Sequence, residues 1–315
     1  MILSLASFSI VYVATIMMLI LLRQEKQPLK IKSPRLMLLC IFANLTIIIS
    51  VSVVQLSEEK CINEDGGTTA DGVCKWHVLE MFSLCFGYIL LGFTEPLSVI
   101  AYVLRSFRLR SIYDAQLTYY SEDRKPVEMI EKFRELRLIK VTAISVGCLT
   151  VVYLVTALFL KFVPMGSTTK LYLLPSMDTA SFVKGSEELT VVEAQANFNE
   201  GMDLSMYFLI WYYFAEGCVF LWAMHRVRDF QEDFNLMGET KRYALAWLAF
   251  SNLVLFLCVQ GSYSGFLTLQ QINRYKTVLY ILRSLVAASI CGIPPLIESY
   301  RDASFFQIPP NQESI

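Results

Sequence analysis

Seven long apolar runs dominate this chain, and they leave it little choice of architecture. The hydrocarbon core of a bilayer is about 30 Å thick and needs ~20 mostly apolar residues in helix to cross it. Stretches of that kind lie at about 2–22, 36–56, 78–104, 141–163, 204–224, 243–262 and 275–297. Backbone N–H and C=O groups in lipid must be satisfied within their own segment, so the runs predict helices and not strands. The expected fold is therefore an all-α membrane protein. A seven-transmembrane helix bundle would occupy 1–300, with a short cytoplasmic tail at 301–315. The sixth run is the weakest, because Ser251, Asn252 and Gln260 dilute it. The first could alternatively be a cleaved signal peptide. It lacks a basic stretch ahead of it, however, and it is longer than such a peptide needs.

Composition agrees. Charged residues make up 17% of the chain, against roughly 25% in ordinary soluble domains. A net charge of −1 gives no global field that would draw nucleic acid.

Lys and Arg in the connecting loops set the orientation. The first loop carries Arg23, Lys26, Lys30, Lys32 and Arg35. The third runs from Arg105 to Lys140 with nine basic residues, and the fifth has Arg226, Arg228, Lys241 and Arg242. The second has only Lys60 and Lys75, and the fourth Lys161, Lys170 and Lys184. Odd loops should face the cytoplasm, with the N-terminus outside and the C-terminus inside. Acidic residues gather in the two loops on the outer side, among them Glu58, Asp65, Glu187 and Asp203.

Of eight cysteines, six (Cys40, Cys85, Cys148, Cys218, Cys258, Cys291) fall within apolar runs, where they are expected to act as small buried hydrophobes. Cys61 and Cys74 share the first outer loop, and an oxidising exterior favours a local disulfide between them. No C-x-x-C spacing or His/Cys cluster occurs, so neither a metal nor another cofactor is expected. The one glycosylation sequon, Asn44-Leu45-Thr46, lies inside the second run and should be silent.

Three charged residues interrupt the apolar runs: Glu95, Glu216 and Arg283. Ionisable groups at membrane depth are costly, tend to face the bundle interior and are functional candidates. Arg283 is expected to pair with Glu95 or Glu216, because a guanidinium fork suits a carboxylate. The pair could be a static lock, a switch or part of a polar path. Pro96 should kink the third helix, and Pro294 and Pro295 should break or bend the last one.

On the cytoplasmic side, Arg105, Arg108 and Arg110 close the third helix. They suit anionic lipid headgroups, and they could also dock a cytosolic protein. The fifth helix should run on through Arg226, Arg228 and Asp229, with Phe230, Phe234 and Met237 along one side. Pro126 opens a further helical pattern that leads into the fourth run.

Three segments together carry a resemblance: LGFTEPLSVIAYVLRSFRLRSIYDA (91–115), WAMHRVRDFQEDFNLMGETKR (222–242) and YKTVLYILRSLVAASICGIPP (275–295). They resemble the membrane region of the seven-transmembrane regulator-of-G-protein-signalling proteins of plants, fungi and protists. In that family a basic segment ends the third helix, matched here by Arg105, Arg108 and Leu109. A stretch after the fifth is matched by Val227, Asp229, Phe234, Leu236 and Glu239, and an Arg in the seventh by Arg283. The resemblance implies a receptor-like module. The family's helical regulator domain follows its last helix, whereas this sequence ends at Ile315. Rhodopsin-like signatures are absent: D-R-Y after the third helix, C-W-x-P in the sixth, N-P-x-x-Y in the seventh. No Lys sits mid-way along the seventh run, which argues against covalently bound retinal.

The expected function is that of a non-enzymatic, multi-pass receptor in the plasma membrane. It would bind a small molecule from outside and signal to a G-protein α subunit. Its coupling surface would comprise Arg105, Arg108, Arg110, Arg226, Arg228, Asp229, Phe234 and Glu239. Membrane lipid surrounds such a chain, and a dimer is compatible with it. The alternative is a transporter or channel whose polar path is lined by Glu95, Glu216 and Arg283.

Overall fold

The computed structural model describes residues 2–25, 33–63, 93–119, 135–162, 211, 213–226, 236–264 and 269–300. All secondary structure among them is helical. Seven helices are described: α1 (Ile2–Arg23), α2 (Pro34–Asn63), α3 (Glu95–Tyr119), α4 (Glu135–Phe162), α5 (213–226), α6 (Leu236–Ser264) and α7 (Leu269–Tyr300). Three contain segments long and apolar enough to cross a membrane: Ile2–Arg23, Pro34–Leu56 and Arg274–Tyr300.

Side-chain contacts fix how neighbours run. Tyr12 of α1 shares a hydrogen bond with Ser289 of α7 at 3.1 Å, and Arg23 donates to the Ser299 carbonyl at 3.0 Å. The two helices are therefore parallel. Gln55 of α2 accepts from Thr277 of α7 at 3.1 Å, whereas Ile41 lies against Gly292, so α2 and α7 are antiparallel. Asn44 and Ser98, then Ser33 and Arg108, make the same case for α2 against α3. The C-terminal ends of α1, α3 and α7 thus meet the N-terminal ends of α2, α4 and α6 at one end of the packed helices.

That shared end is built from the orphan backbone groups of a helix start. Ser33 takes a left-handed conformation (φ 61°) just before Pro34 opens α2. Its hydroxyl accepts from Arg108, and among the described residues it accepts from no α2 amide. The Glu135 carboxylate, arriving from α4, accepts from the Arg35 and Leu36 amides at 2.8 and 3.2 Å instead. A negative group at a helix N-terminus also meets the positive end of the helix dipole.

The core joins α1, α2, α3, α5, α6 and α7 through Val13, Ile20, Ile41, Ile48, Tyr102, Phe220, Tyr243, Trp247 and Ile281. α4 sits to one side, where Val146 packs on Ala43 and Leu97. The outward faces are as apolar as the core. Phe8, Val11, Ile144, Trp211 and Phe256 are each 59–67% exposed. Soluble monomers seldom present so much contiguous apolar surface, whereas lipid is a solvent for it.

Several sequence expectations change here. Cys40 and Cys291 are buried, but Cys148 and Cys218 are exposed. An apolar run that faces lipid places a thiol outside as readily as inside. α7 continues through Pro294 and Pro295 to Tyr300, so the prolines do not break it. Pro96 stands in the first described turn of α3, directly after a π-type turn at 93–94. The Asn44 side chain is fully buried, held by Cys40 and Ser98. The Cys61–Cys74 bridge, Arg228, Asp229, Phe234 and the segment at 126–134 lie outside the described residues and side chains.

Candidate functional site

Two buried ion pairs stand about 15 Å apart along α3, as ten residues of helix require. Both arise from one stripe of that helix: Glu95, Ser98, Tyr102 and Arg105, spaced by three or four residues. α6 presents a facing stripe of Glu239, Tyr243, Trp247 and Ser251, each four residues from the next.

The first pair lies deep in the protein. Arg283 of α7 donates to the Glu95 carboxylate of α3, and both side chains are all but inaccessible. Arg283 also meets the Ser251 hydroxyl at 3.4 Å. Its guanidinium carbon lies 3.9 Å from the centroid of the Trp247 ring and 4.7 Å from that of Tyr280. Cation–π contacts of this kind gain strength where water is excluded. Glu216 of α5 takes a different partner. Its Oε2 accepts from the Trp247 indole N–H at 2.8 Å. Trp247 therefore stands between Glu216 and Arg283, touching both. The hydroxyls of Tyr213 and Tyr280 share a hydrogen bond at 2.6 Å alongside.

The second pair closes the shared helix end. Arg105 of α3 donates to Glu239 Oε2 at the start of α6, at 3.2 Å, with side-chain exposures of 1% and 3%. Its other terminal nitrogen reaches the Cys291 sulfur of α7 at 3.9 Å. Neither Arg105 nor Glu239 forms a surface, contrary to the sequence reading. Sequence position placed them at a membrane boundary, but the packing of α3 on α6 turns them inward against each other. Arg108 is half-buried and lies 3.8 Å from Glu135. Burial draws its guanidinium below the ordinary value and the Glu135 carboxylate opposes this; an arginine remains charged nonetheless. Arg110 is partly buried, and Arg226 is exposed with its guanidinium 5.9 Å from the centroid of the Trp222 ring.

A stack of rings joins the two pairs. Trp247 stacks on Tyr243, centroids 6.0 Å apart at 10°. Tyr243 stacks on Tyr102 at 3.8 Å and 6°. The Tyr102 ring lies 5.7 Å from the Arg105 guanidinium. The Tyr243 hydroxyl meets Ser98 at 2.8 Å and Cys40 at 3.5 Å. Arg283, Trp247, Tyr243, Tyr102, Arg105 and Glu239 thus form one continuous series of contacts through the bundle.

Sequence reasoning singled out the charged members and missed the rings and small polar groups between them. The four-residue spacing of Glu239, Tyr243, Trp247 and Ser251 was the available signal. Among the described residues no cluster of His, Cys, Asp and Glu could hold a metal ion. No protein-family model matches the chain, and no curated protein matches it significantly in sequence.

Proposed function

We propose that the chain is a seven-span, receptor-like protein of the plasma membrane, with its N-terminus outside and its Arg105–Glu239 end in the cytosol. The observation that carries this reading is the buried Arg105–Glu239 pair, connected by stacked rings to the buried Arg283–Glu95 pair. A buried ion pair between helix ends has two discrete arrangements, made or broken. Packed interfaces with two such arrangements can amplify small shifts.

In this mechanism a small molecule binds on the outer side and shifts Arg283 or Glu216. Trp247 touches both, so it is displaced, and Tyr243 and Tyr102 follow. Release of Arg105 from Glu239 then frees the start of α6 and lets a G-protein α subunit engage Arg108, Arg110, Arg226 and the 227–235 segment. The ligand acts only through a difference in affinity for the two states. The resemblance to the membrane region of seven-transmembrane regulator-of-G-protein-signalling proteins supports this partner.

The test is binding of purified chain in nanodiscs to a panel of Gα subunits. Glu239→Gln should raise binding, and Arg110→Gln with Arg226→Gln should lower it. Absence of binding to every subunit by wild type and Glu239→Gln alike would remove the receptor reading. A transporter or channel would then lead, favoured by the two carboxylates and two joined tyrosine hydroxyls around Arg283. Uptake or current in proteoliposomes would decide it.

A further inference from the structure

Six charged side chains are buried among the described residues: Glu95, Arg105, Glu216, Glu239, Lys276 and Arg283. Five of them hold one another or the Trp247 indole. Lys276 of α7 is the exception. It is only 8% exposed, and among the described residues it makes no hydrogen bond and no ion pair. Burial strips water from a lysine ammonium, and here no side chain replaces that water, so the state is costly. A charged residue kept at such a cost inside a helix bundle marks a functional position. The partner it lacks is an anion.

Lys276 belongs to the stripe of α7 that carries Tyr280 and Arg283, at steps of four and three residues. Side chains four apart on one helix face are neighbours, about 5–6 Å apart at Cβ. Helical side chains lean toward the N-terminal end, so Lys276 reaches away from Tyr280 toward the start of α7. The Tyr280 hydroxyl shares a hydrogen bond with Tyr213 of α5 at 2.6 Å. Glu216 follows Tyr213 by three residues on α5, and its carboxylate holds Trp247. From the start of α7 inward, the order is therefore Lys276, the two tyrosines, then the Arg283–Glu95 and Glu216–Trp247 contacts.

We propose that Lys276 anchors the ligand of this protein, and that the ligand is a small monocarboxylate with an apolar body. One carboxylate matches one ammonium in charge. Its second oxygen accepts from the Tyr280 hydroxyl, which has a single proton to donate. The body of the ligand rests among the tyrosine rings. A phosphate monoester fits worse, because its second charge would face Glu95 and Glu216 with no further unpaired cation buried among the described residues. Drawing the Tyr280 hydroxyl toward the ligand loosens Tyr213, and through α5 it reaches the Glu216–Trp247 bond. The inference deepens the receptor reading and rests on it for the side of the membrane from which the ligand arrives.

The experiment uses the full chain in phosphatidylcholine nanodiscs, without G protein. Acetate, butyrate, octanoate, benzoate and phenylacetate are added in turn, with benzamide as the uncharged control. Thermal unfolding and tryptophan emission are followed. At least one carboxylate should raise the unfolding temperature and shift the emission, and benzamide should do neither. Lys276→Met should abolish both effects and should itself raise the unfolding temperature, since it removes a buried charge that has no partner. Tyr280→Phe should weaken carboxylate binding several-fold. No Lys276-dependent effect from any of the five carboxylates would overturn the proposal, as would a Lys276→Met chain less stable than wild type. Stabilisation through Lys276 that appears only when phosphatidylserine is added would assign the site to lipid and overturn it too. Carboxylate binding with no Gα binding would leave this inference standing and remove the receptor reading. Gα binding with no carboxylate effect would do the reverse.

Discussion

Arg105 and Glu239 meet at 3.2 Å between the end of α3 and the start of α6, with almost no contact with solvent. Removing one partner strands the other as a buried charge, which costs about 3–5 kcal/mol, whereas replacing both with apolar groups of similar volume is often neutral. Glu239→Leu should therefore lower the unfolding temperature strongly, and Arg105→Met with Glu239→Leu should recover most of it. Thermal unfolding of the two singles and the double, in one detergent, checks this. Additive losses in the double would mean that the two residues do not act as a pair.

Arg283 is held by a carboxylate, a hydroxyl and two aromatic faces. Lys keeps the charge and loses the planar fork and its stacking. Arg283→Lys should destabilise the protein by about 1–2 kcal/mol through weakened cation–π and hydrogen-bond contacts. Glu95→Gln should cost more, since it leaves a buried guanidinium without its counter-charge. Chemical denaturation can rank the two; a Lys variant less stable than the Gln variant would contradict the ordering.

The Trp247 indole N–H is bonded to Glu216 Oε2 at 2.8 Å inside the bundle. Phe retains a ring at that place but has no donor. Trp247→Phe should cost about 1–3 kcal/mol for the buried acceptor left without this bond. In the Glu216→Leu background, where the acceptor is gone, the same change should cost clearly less. Equal penalties in both backgrounds would show that ring packing alone sets the effect.

At Gly292 α7 lies close against Ile16 of α1 and Ile41 of α2. A Cβ there would stand 2.5 Å from Ile16 Cγ2 and 3.2 Å from Ile41 Cδ1. Ile16 Cγ2 is a branch close to the backbone, so it yields only if the helices separate. Gly292→Ala should lose about 1–3 kcal/mol by overpacking, and Ile16→Ala in the same chain should restore part of it. Unfolding measurements would refute this if Gly292→Ala were neutral, or if Ile16→Ala made it worse by its full single-variant cost.

The rows of small and charged residues show where sequence was legible. Glu95 and Arg283 stand out because each interrupts an apolar run, and a charge in such a run is conspicuous without any structure. Glu216 was equally conspicuous, yet which glutamate Arg283 meets depends on how α3 and α5 are rotated about their axes. That rotation follows from core packing, and Trp247 claims Glu216. Gln55 and Thr277 are 222 positions apart along the chain, and only the antiparallel packing of α2 on α7 joins them by a hydrogen bond.

The sequence by itself determined where the helices lie. Helical hydrogen bonds close within four residues, and in lipid no other backbone arrangement leaves a segment satisfied. Each of the seven apolar runs overlaps one described helix, and three of these helices are long and apolar enough to cross a membrane. The tertiary structure decided which side chains meet. Arg105 and Glu239, read as parts of an exposed surface, are buried against one another because a helix interior is fixed by rotation and register. Those depend on close packing of side chains far apart in sequence.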